Sequence, residues 1–547
     1  MTRLLSIVFL LLSFSSVAQL SHSDQEAIDS LFTEWNESGH PGGVVGVQEN
    51  GDLVYLKSYG LANVEHNVSN ETSTVFNIAS ISKQFTAMSI IILEEQGKLS
   101  ITDDVHKFIP ELPDFGQTIT IEHLIYHTSG LRSVHGMLQL AGWRDDDART
   151  TEDILRFTKK QRELNFLPGE EFAYCNTGYN LMALIVERIS EQTFADWMKE
   201  NIFTPLGMNS AFVEPIYNNP GIGVATSYEY VGEQIVRPSP YWGYQGSGNM
   251  HSDAEDLLKW LENFHSPKTG WEERFKKMTS LGALNNDEQL DYAYGLFINQ
   301  NNNLERVSHS GAIGGYRAYA ATFPEKNLDL VILTNFSTSN VNSNIDALAK
   351  IVLKSENDET PLVVREPIKL STKKLNEFTG DFWSSEDLLS RTITMKNDSL
   401  FLDNGHAVYS LLPISKTELI IADIPVDVVA SYTEDKKSLK FVVNEESGAS
   451  YVRYDLFTPD ENYLNELSGE YYSEELETSY FLRIEEGKFI IYHSRHGVIE
   501  PQLIVRDVFT SDWPIESMKI IRDDAGKTIG IRLSNSRARN LFFKKVN

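Results

Sequence analysis

The sequence predicts an α+β fold, in which a sheet domain carrying an inserted helical region is followed by two small antiparallel β-barrel domains. Between residues 19 and 355 helical and strand patterns alternate, whereas beyond residue 367 short strands with turn residues dominate. The stretch LNEFTGDFWSSE, from Leu375, also matches LNELSGEYYSEE, from Leu464, at an offset of 464 − 375 = 89 residues. This internal repeat indicates two copies of one β-domain.

The first domain opens with a predicted β-hairpin, because two apolar runs in residues 42–60 flank an Asn-Gly turn. A helix is predicted after Ser80, where apolar residues recur every three or four positions until Gly97. Further helices are predicted at TIEHLIYH, GYNLMALIVERISEQ and DAEDLLKWLENF, and strands at AYGLFINQ, GGYRAYAATFP and LDLVILTN.

Composition shifts divide the chain. A polar, acidic and proline-bearing stretch after the last predicted strand of the first domain is typical of a linker. The predicted segments are a signal peptide at 1–18, the first domain at 19–355, the linker at 356–367, and the two β-barrel domains at 368–457 and 458–547.

The charge of the chain restricts its partners. It has 48 Lys and Arg against 77 Asp and Glu, a formal net charge of −29. Such a surface repels phosphate backbones and anionic lipid, so nucleic acid is not an expected partner. Cys175 is the single cysteine, which excludes an intrachain disulfide.

The first 18 residues are typical of a secretory signal peptide. Arg3 precedes an apolar run over residues 4–12, and Ser16 and Ala18 stand at the −3 and −1 positions of a cleavage site before Gln19. The run is shorter than the ~20 residues that a membrane-spanning helix needs. We therefore expect an exported protein, periplasmic or secreted, with no membrane span in the mature chain.

A serine precedes a lysine by three positions at Ser80 and Lys83, where the apolar helix begins. A serine at a helix N-terminus presents its backbone N–H to a developing oxyanion, and a lysine one turn later points the same way. The alternative is that Ser80 caps the helix and Lys83 is solvated. A second match, Ser371 to Lys374, has no apolar helix behind it.

Tyr174 and Asn176 stand in a predicted turn just ahead of a helix. A tyrosine beside a lysine can relay the serine proton to a leaving group, and an asparagine amide can orient a substrate carbonyl. Tyr217 and Tyr463 also have an asparagine two positions later, but neither precedes a predicted helix.

His309, Ser310 and Gly311 are predicted to open a strand. Glycine there would let a substrate backbone lie close to the sheet edge, and the N–H of Ala312 would be a second oxyanion donor. The alternative is a glycine-rich hairpin turn with a surface histidine.

Two other kinds of enzyme fit less well. An α/β-hydrolase needs Gly-x-Ser-x-Gly, and no serine has glycine two places away on both sides. His123 and His127 have a metal-ligand spacing of four but lack a nearby third ligand, so no metal site is predicted.

The three motifs, in this order, resemble the signatures of the penicillin-recognising serine hydrolases. The similarity covers about residues 23–353 and is to the branch that holds class C β-lactamases, DD-carboxypeptidases, D-aminopeptidases and β-lactamase-fold esterases. It implies a β-lactamase-like domain, a serine acyl-enzyme and no cofactor. The roles that it implies are nucleophile for Ser80, proton acceptor or electrostatic support for Lys83, general acid and base for Tyr174, and substrate binding for Asn176, His309, Gly311 and Ala312.

One departure bears on the substrate. β-Lactamases of this branch carry a lysine where this chain has His309, and histidine is mostly neutral at pH 7. A literal Lys268-Thr269-Gly270 follows a helix with no strand behind it. The departure favours esterase or peptidase action over β-lactam hydrolysis. D-Aminopeptidases resemble this chain in the third motif and in the two barrels, one of which sends a loop to the active site.

The sequence therefore predicts an exported serine hydrolase that acts through Ser80 on amide or ester bonds of small peptides or esters, similar to a D-aminopeptidase or DD-peptidase. One alternative is a β-lactamase-fold carboxylesterase. The other is a catalytically weak binding or sensor protein for peptide or glycan. The presence of Ser80, Lys83, Tyr174 and Asn176 together favours an enzyme.

Overall fold

The computed structural model describes residues 20–546 except 215, 217–220, 239–241, 302, 355–364, 385–388, 405–406, 423, 425–427, 444–445 and 456. The predicted signal peptide and most of the predicted linker lie outside the described residues. The described parts of 1–101, 182–283 and 287–355 form a first compact unit, and those of 102–181, 284–286 and 356–547 form a second.

The first unit is built on a six-stranded antiparallel sheet. Its strands lie in the order Phe297–Asn301, Leu304–Ile313, Tyr316–Phe323, Leu328–Thr334, Gly43–Glu49 and Asp52–Tyr59. The predicted hairpin is confirmed, with Asn50 and Gly51 in its turn at φ 53° and 82°. The strand Gly43–Glu49 pairs on its other side with Leu328–Thr334, so sequence-distant strands meet inside the sheet.

One strand begins earlier than the sequence predicts. His309, Ser310 and Gly311 were expected to open it, but the strand runs from Leu304 to Ile313 and they lie in its second half. The expectation is wrong because charged residues such as Glu305, which is exposed, occupy the first half of the strand. A half-solvated strand start of this kind lacks the apolar pattern that marks a strand in sequence.

Helices cover both faces of this sheet. Val45 and Val47 point to one face, where helices His22–Leu31 and Val341–Leu353 complete an apolar cluster. Gly46 points to the other, where helix Ala254–Glu262 packs against the strands. A Cβ at position 46 would lie 3.0 Å from a methyl carbon of Leu258, so this helix approaches the sheet closely.

The helix predicted after Ser80 is confirmed as Ser82–Glu95, and Gly97 follows it at φ 67°. Its residues from Ser82 to Leu93 are all buried, which makes it a core helix rather than an amphipathic one. Other helices of the first unit are Phe194–Met198, Thr204–Leu206 and Glu272–Met278. Its short strands include Leu61–Asn63 with Val68–Ser69, Glu229–Val231 with Gln234–Val236, and Met250–Ser252 between Phe76–Asn77 and Phe212–Val213.

In the second unit, the regular secondary structure of residues 102–181 consists mainly of helices joined by turns and irregular segments. The helices are Ile121–Ile125, Val134–Leu140, Thr151–Thr158 and the beginning of Asn176–Ser190, within which the division between the units falls. In the described part of the chain, no helix has both the length and the apolar character needed to cross a membrane.

The repeat forms two β-domains that differ in closure. The first is a closed barrel of strands Gly380–Ser384, Leu389–Lys396, Ser399–Asp403, Val408–Pro413, Glu418–Ile421, Val428–Tyr432, Ser438–Val443 and Glu446–Tyr454. The second is a nine-stranded half-barrel in the order Gly497–Ile499, Lys488–His493, Thr478–Glu485, Gly469–Ser473, Ala538–Val546, Thr528–Asn535, Ser517–Arg522, Val508–Thr510 and Gln502–Val505. The predicted α+β class with two β-domains is confirmed, although only the first closes.

The repeat is visible in the backbone. In each copy a short helix, Thr372–Asn376 or Glu461–Leu467, leads into the first strand through a glycine. Gly380 and Gly469 both have φ of 146°, a conformation that side-chain-bearing residues rarely adopt. The sequence match therefore reflects one shared local structure.

Candidate active site

Ser80 and Lys83 lie side by side where the buried helix begins. Ser80 is half-buried in the turn Ala79–Ile81, which leads directly into helix Ser82–Glu95. Nζ of Lys83, a side chain with no exposed surface, donates to Oγ of Ser80 at 3.1 Å. The alternative of a solvated lysine and a serine cap is wrong, because Lys83 is buried and the cap of this helix is Ile81.

A backbone carbonyl holds the lysine from the opposite side. Nζ of Lys83 donates to the carbonyl oxygen of Ser247 at 2.7 Å. One turn further along the helix, Oγ1 of Thr86 donates to the carbonyl oxygen of Gly246, also at 2.7 Å. The segment that contains Gly246 and Ser247 thus fixes the side-chain nitrogen of Lys83 beside the serine. A main-chain carbonyl has no side-chain signature, so the sequence did not reveal this partner.

A second close approach fixes the backbone of the lysine. A Cβ at Gly295, where φ is 76°, would lie 2.7 Å from both the carbonyl carbon of Lys83 and the backbone nitrogen of Gln84. The side chain of Gln84 is in turn held by Nε1 of Trp260, which donates to Oε1 at 2.8 Å. The first turn of the helix is therefore locked by its neighbours, as a preorganised site requires.

The turn ahead of Ser80 has an unusual backbone. Ala79 has φ of 48°, which is uncommon for a residue other than glycine and is concentrated at functional sites. Oδ1 of Asn77 accepts from the N–H of Ala79 at 2.9 Å, and Oγ of Ser82 donates to its carbonyl oxygen at 2.5 Å. These side chains hold the turn that presents Ser80.

The third motif lies next to this turn. A Cβ at Gly311 would overlap the carbonyl oxygen of Ile78 and lie 3.1 Å from Cβ of Ala79, so only glycine lets the strand pass. Ala312 follows it with an exposed side chain. Strand Leu304–Ile313 pairs with strand Phe297–Asn301 only as far as Ser308. His309 and the residues after it therefore extend past the end of that neighbouring strand.

His309 is buried rather than on the surface. Its side chain is 3% exposed, and its ring lies 5.4 Å from that of Phe297 and 6.2 Å from that of Tyr292, between ring centroids. Burial, together with the nearby charge of Lys83, lowers the pKa of His309 to about 3. His309 is therefore neutral at pH 7 and supplies no positive charge to the third motif.

Tyr174 belongs to the second unit, where His127 holds its turn. The carbonyl oxygen of His127 accepts from the N–H of Ala173 at 2.9 Å, and its Nδ1 accepts from the N–H of Cys175 at 3.1 Å. The rings of His127 and the half-buried Tyr174 lie 4.3 Å apart between centroids. The sequence suggested His127 only as a metal ligand and missed this role.

The other residue of that histidine pair has a structural role. Nδ1 of His123 accepts from the N–H of Thr120 at 3.2 Å, and Oγ1 of Thr120 accepts from the N–H of His123 at 3.2 Å, which caps helix Ile121–Ile125. Within the described residues, no group of three or more His, Cys, Asp and Glu side chains is placed to hold a metal ion.

Asn176 is the first residue of helix Asn176–Ser190 and is buried in the second unit. Its Oδ1 has no hydrogen-bond partner among the described residues. Leaving a buried amide oxygen unpaired costs ~1–3 kcal/mol, so such atoms call for a functional explanation. Asn176 is thus placed as a group able to bind something outside its own fold.

The half-barrel reaches the turn of Tyr174. The guanidinium carbon of Arg537 lies 5.9 Å from the centroid of the Tyr174 ring. Arg537 stands in the hairpin turn between the last two strands, and its carbonyl oxygen accepts from the N–H of Ser133 at 3.0 Å. Nδ2 of Asn535 donates to the carbonyl oxygen of Gly136 at 3.1 Å. Sequence patterns gave no indication of these contacts.

A buried ion pair ties the half-barrel to the same helical region. Nη1 of Arg132 and Oε1 of Glu475 are 2.5 Å apart, and both side chains are buried. Nε of Arg132 also donates to the carbonyl oxygen of Arg539 at 3.0 Å. Removing one partner of a buried ion pair leaves an uncompensated charge in the interior and strongly destabilises the fold. The contact between Arg132 and Glu475 is therefore expected to contribute to the stability of the second unit.

The two competing motif matches lie on the surface. Ser371 and Lys374 are both exposed at the short helix that begins the closed barrel. Lys268 to Gly270 are exposed residues that follow helix Ala254–Glu262, not a strand. Neither set has the burial that distinguishes Ser80, Lys83 and His309.

Comparison with known sequences gives the family. The Beta-lactamase family model matches residues 28–353, more than half of the chain. Penicillin-binding protein 4* of Bacillus subtilis (strain 168) is 28% identical over 459 residues, which cover 80% of this chain and 98% of that protein. Protein flp of Staphylococcus aureus (strain N315) is 29% identical over 340 residues, 59% of this chain and 65% of flp.

Solved structures share the fold. The octameric penicillin-binding protein homologue from Pyrococcus abyssi aligns with a TM-score of 0.55 at 24% identity, over 79% of this chain and 100% of that one. D-Amino acid amidase from Ochrobactrum anthropi SV3 aligns with a TM-score of 0.53 at 20% identity, over 61% of this chain and 99% of that one. Together with the family match and the fold described above, these findings establish that the chain belongs to the Beta-lactamase family.

Proposed function

We propose that this protein is an exported serine hydrolase that forms an acyl-enzyme on Ser80 and cleaves small peptides or amides with a D-amino acid at the acyl side. The observation that carries the proposal is the 3.1 Å contact between Oγ of Ser80 and Nζ of the fully buried Lys83. A serine beside a buried lysine is an activated nucleophile when the lysine accepts its proton. Two similar proteins agree with this class. One is a penicillin-binding protein that is similar in sequence, and the other is a D-amino acid amidase that is similar in fold.

In the first half of the proposed reaction, Oγ of Ser80 attacks the substrate carbonyl carbon and gives its proton to Nζ of Lys83, which accepts it as a neutral amine. The N–H groups of Ser80 and Ala312 donate to the oxyanion, and each is expected to contribute about 10²–10³ in rate. Tyr174 delivers a proton to the leaving nitrogen as the C–N bond breaks, and regains one from Lys83. The amine departs and the acyl group stays on Ser80.

In the second half, a water molecule attacks the acyl carbon. Its hydroxyl joins the acyl group, its proton passes through Tyr174 and returns to Oγ of Ser80 as the ester bond breaks, and the free acid leaves. Asn176 would orient the substrate carbonyl through its side-chain amide. No cofactor enters this scheme.

The third motif supports a preference against β-lactams. His309 is neutral at pH 7, so it offers no fixed charge to a carboxylate at that position. We therefore expect weak β-lactam hydrolysis. Export to the periplasm or medium is part of the proposal, and N-terminal sequencing of the mature protein should begin at Gln19.

The test compares D-alanine p-nitroanilide, its L-enantiomer and a short-chain p-nitrophenyl ester, using mature protein and Ser80→Ala in parallel. Turnover of the D-amide that disappears in Ser80→Ala is the expected result. Turnover of the ester alone would replace the proposal with a β-lactamase-fold esterase. Turnover of none of the three would favour a binding protein.

A further inference from the structure

We propose that Arg537, which the half-barrel contributes, is a specificity-determining residue that binds a carboxylate on the leaving group of the substrate. The inference rests on the proposed function, in which Tyr174 gives a proton to that leaving group. A group that lies against Tyr174 is therefore next to the part of the substrate that departs. The substrates selected are peptides whose leaving amino acid has a free carboxylate.

The geometry of Arg537 suits this role. Its guanidinium carbon lies 5.9 Å from the centroid of the Tyr174 ring, and the residue is exposed. A guanidinium on an aromatic face keeps the N–H donors at its edge available. Those donors form a planar fork that matches the two oxygens of a carboxylate. The Tyr174 ring thus supports the guanidinium of Arg537, and the N–H donors at the edge of the guanidinium are open to a ligand.

The hairpin is held without the Arg537 side chain. Oδ1 of the buried Asn535 accepts from the N–H groups of Arg537 at 3.3 Å and of Ala538 at 2.9 Å. The carbonyl oxygen of Arg537 accepts from the N–H of Ser133 at 3.0 Å. Main-chain groups and Asn535 therefore fix the turn, so replacement of the arginine side chain is expected to leave the fold intact.

The charge of Arg537 is not used within the described structure, where no carboxylate pairs with it. Two residues further on, in strand Ala538–Val546, Nη1 of Arg539 is paired with Oε2 of Glu171 at 2.9 Å. Because His309 is neutral, the third motif cannot supply this charge instead. Arg537 is thus the cation placed to attract an anionic leaving group to Tyr174.

The test uses two substrates that differ only in this charge, D-alanyl-D-alanine and D-alanyl-D-alanine N-methylamide, with D-alanine p-nitroanilide as a reference. Wild-type protein should prefer the free acid. Arg537→Gln should lower kcat/KM for the free acid by roughly 10- to 100-fold, the value of a hydrogen bond to a charged group. It should change the other two substrates by less than about 3-fold. Arg537→Lys should retain part of the preference.

Arg539→Gln is the matched control, because it removes a paired arginine from the strand that follows the turn of Arg537. It should leave the ratio of kcat/KM between the free acid and the N-methylamide unchanged. An equal loss on all three substrates in Arg537→Gln would show that Arg537 acts on Tyr174 and would overturn the inference. An unchanged ratio in Arg537→Gln would also overturn it. If wild-type protein cleaves none of the three, the proposed function itself fails, which is a distinct result.

Discussion

The residues around Ser80 and those around Tyr174 are held in different ways. Ser80 lies in the turn that leads into the buried helix of Lys83, and the fixed partners of this helix, such as Ser247 and Gly295, lie in the segment that matches the Beta-lactamase family. Tyr174 lies in a turn contacted by the half-barrel, which is outside that segment. The comparison teaches that the contacts described around the proposed nucleophile come from the family domain, whereas those around the proposed acid and base come also from the C-terminal repeat.

The largest expected effect is on the nucleophile. Ser80→Ala should lower turnover of any cleaved substrate by roughly 10⁴-fold or more, because the covalent step is lost. The matched variant Ser371→Ala removes the serine of the exposed Ser-x-x-Lys and should retain wild-type kinetics in the same assay. Loss of activity in Ser371→Ala alone would overturn the assignment of the nucleophile to the buried helix.

The next effect separates the two groups of residues. Tyr174→Phe removes the phenolic proton and should lower kcat by about 10²–10⁴-fold, the usual contribution of a general acid and base. Reaction of Ser80 with an activated acylating agent, which needs no protonated leaving group, should fall much less. Single-turnover kinetics with both reagents measures the difference. Equal losses with the two reagents would mean that Tyr174 assists Ser80 itself and not the leaving group. The distinction between the residues around Ser80 and those around Tyr174 would then be contradicted.

A third variant tests the dependence on the half-barrel. Glu475→Gln removes the 2.5 Å partner of the buried Arg132 and leaves it only the longer contact of 3.8 Å with the more exposed Glu163, which should destabilise the second unit by about 3–5 kcal/mol. Glu477→Gln, which changes the ion pairs of an exposed residue of the same segment with Arg156 and Lys160, should cost less than about 1 kcal/mol. Denaturant unfolding measures both. Similar values for the two variants would contradict the role given to the buried pair.

The last prediction concerns the pH dependence of stability around Ser80, which has no effect at pH 7 and develops only below pH 6.5. The pKa of His309 is lowered to about 3, so the unfolded chain binds its proton more readily between pH 6.5 and 3. The contribution of neutral His309 is fully present above pH 6.5 and is lost as the pH falls toward 3, by about 1.4 kcal/mol per pH unit. His309→Gln should reduce the slope of the unfolding free energy against pH in this window by about that amount. An unchanged slope would show that His309 is not buried as described.

What the sequence predicted well was local. Ser80 and Lys83 are close because three residues make almost one helical turn, and Gly97 ends that helix as expected. The hairpin at Asn50 and the repeat of 89 residues were also visible, since each depends on a short pattern of residue types. The roles of the site residues remain predictions that the experiments above test.

What the sequence could not predict depends on main-chain groups and on distant contacts. The carbonyl of Ser247 lies 164 residues from Lys83 along the chain, and any residue type carries such a carbonyl. Arg537 is 363 residues from Tyr174 (537 − 174 = 363), in a hairpin whose own sequence shows only a turn. The closure of the first barrel but not the second is also set by long-range strand pairing.

The most direct test of the central claim is to identify the serine that reacts as the nucleophile. Wild-type protein is treated with a fluorophosphonate, digested, and analysed by mass spectrometry beside Ser80→Ala and Ser371→Ala. We predict a single label on Ser80 in the wild type and in Ser371→Ala, and no label in Ser80→Ala. A label on another serine, or one that persists in Ser80→Ala, would contradict the assignment of Ser80 and Lys83 as the catalytic pair.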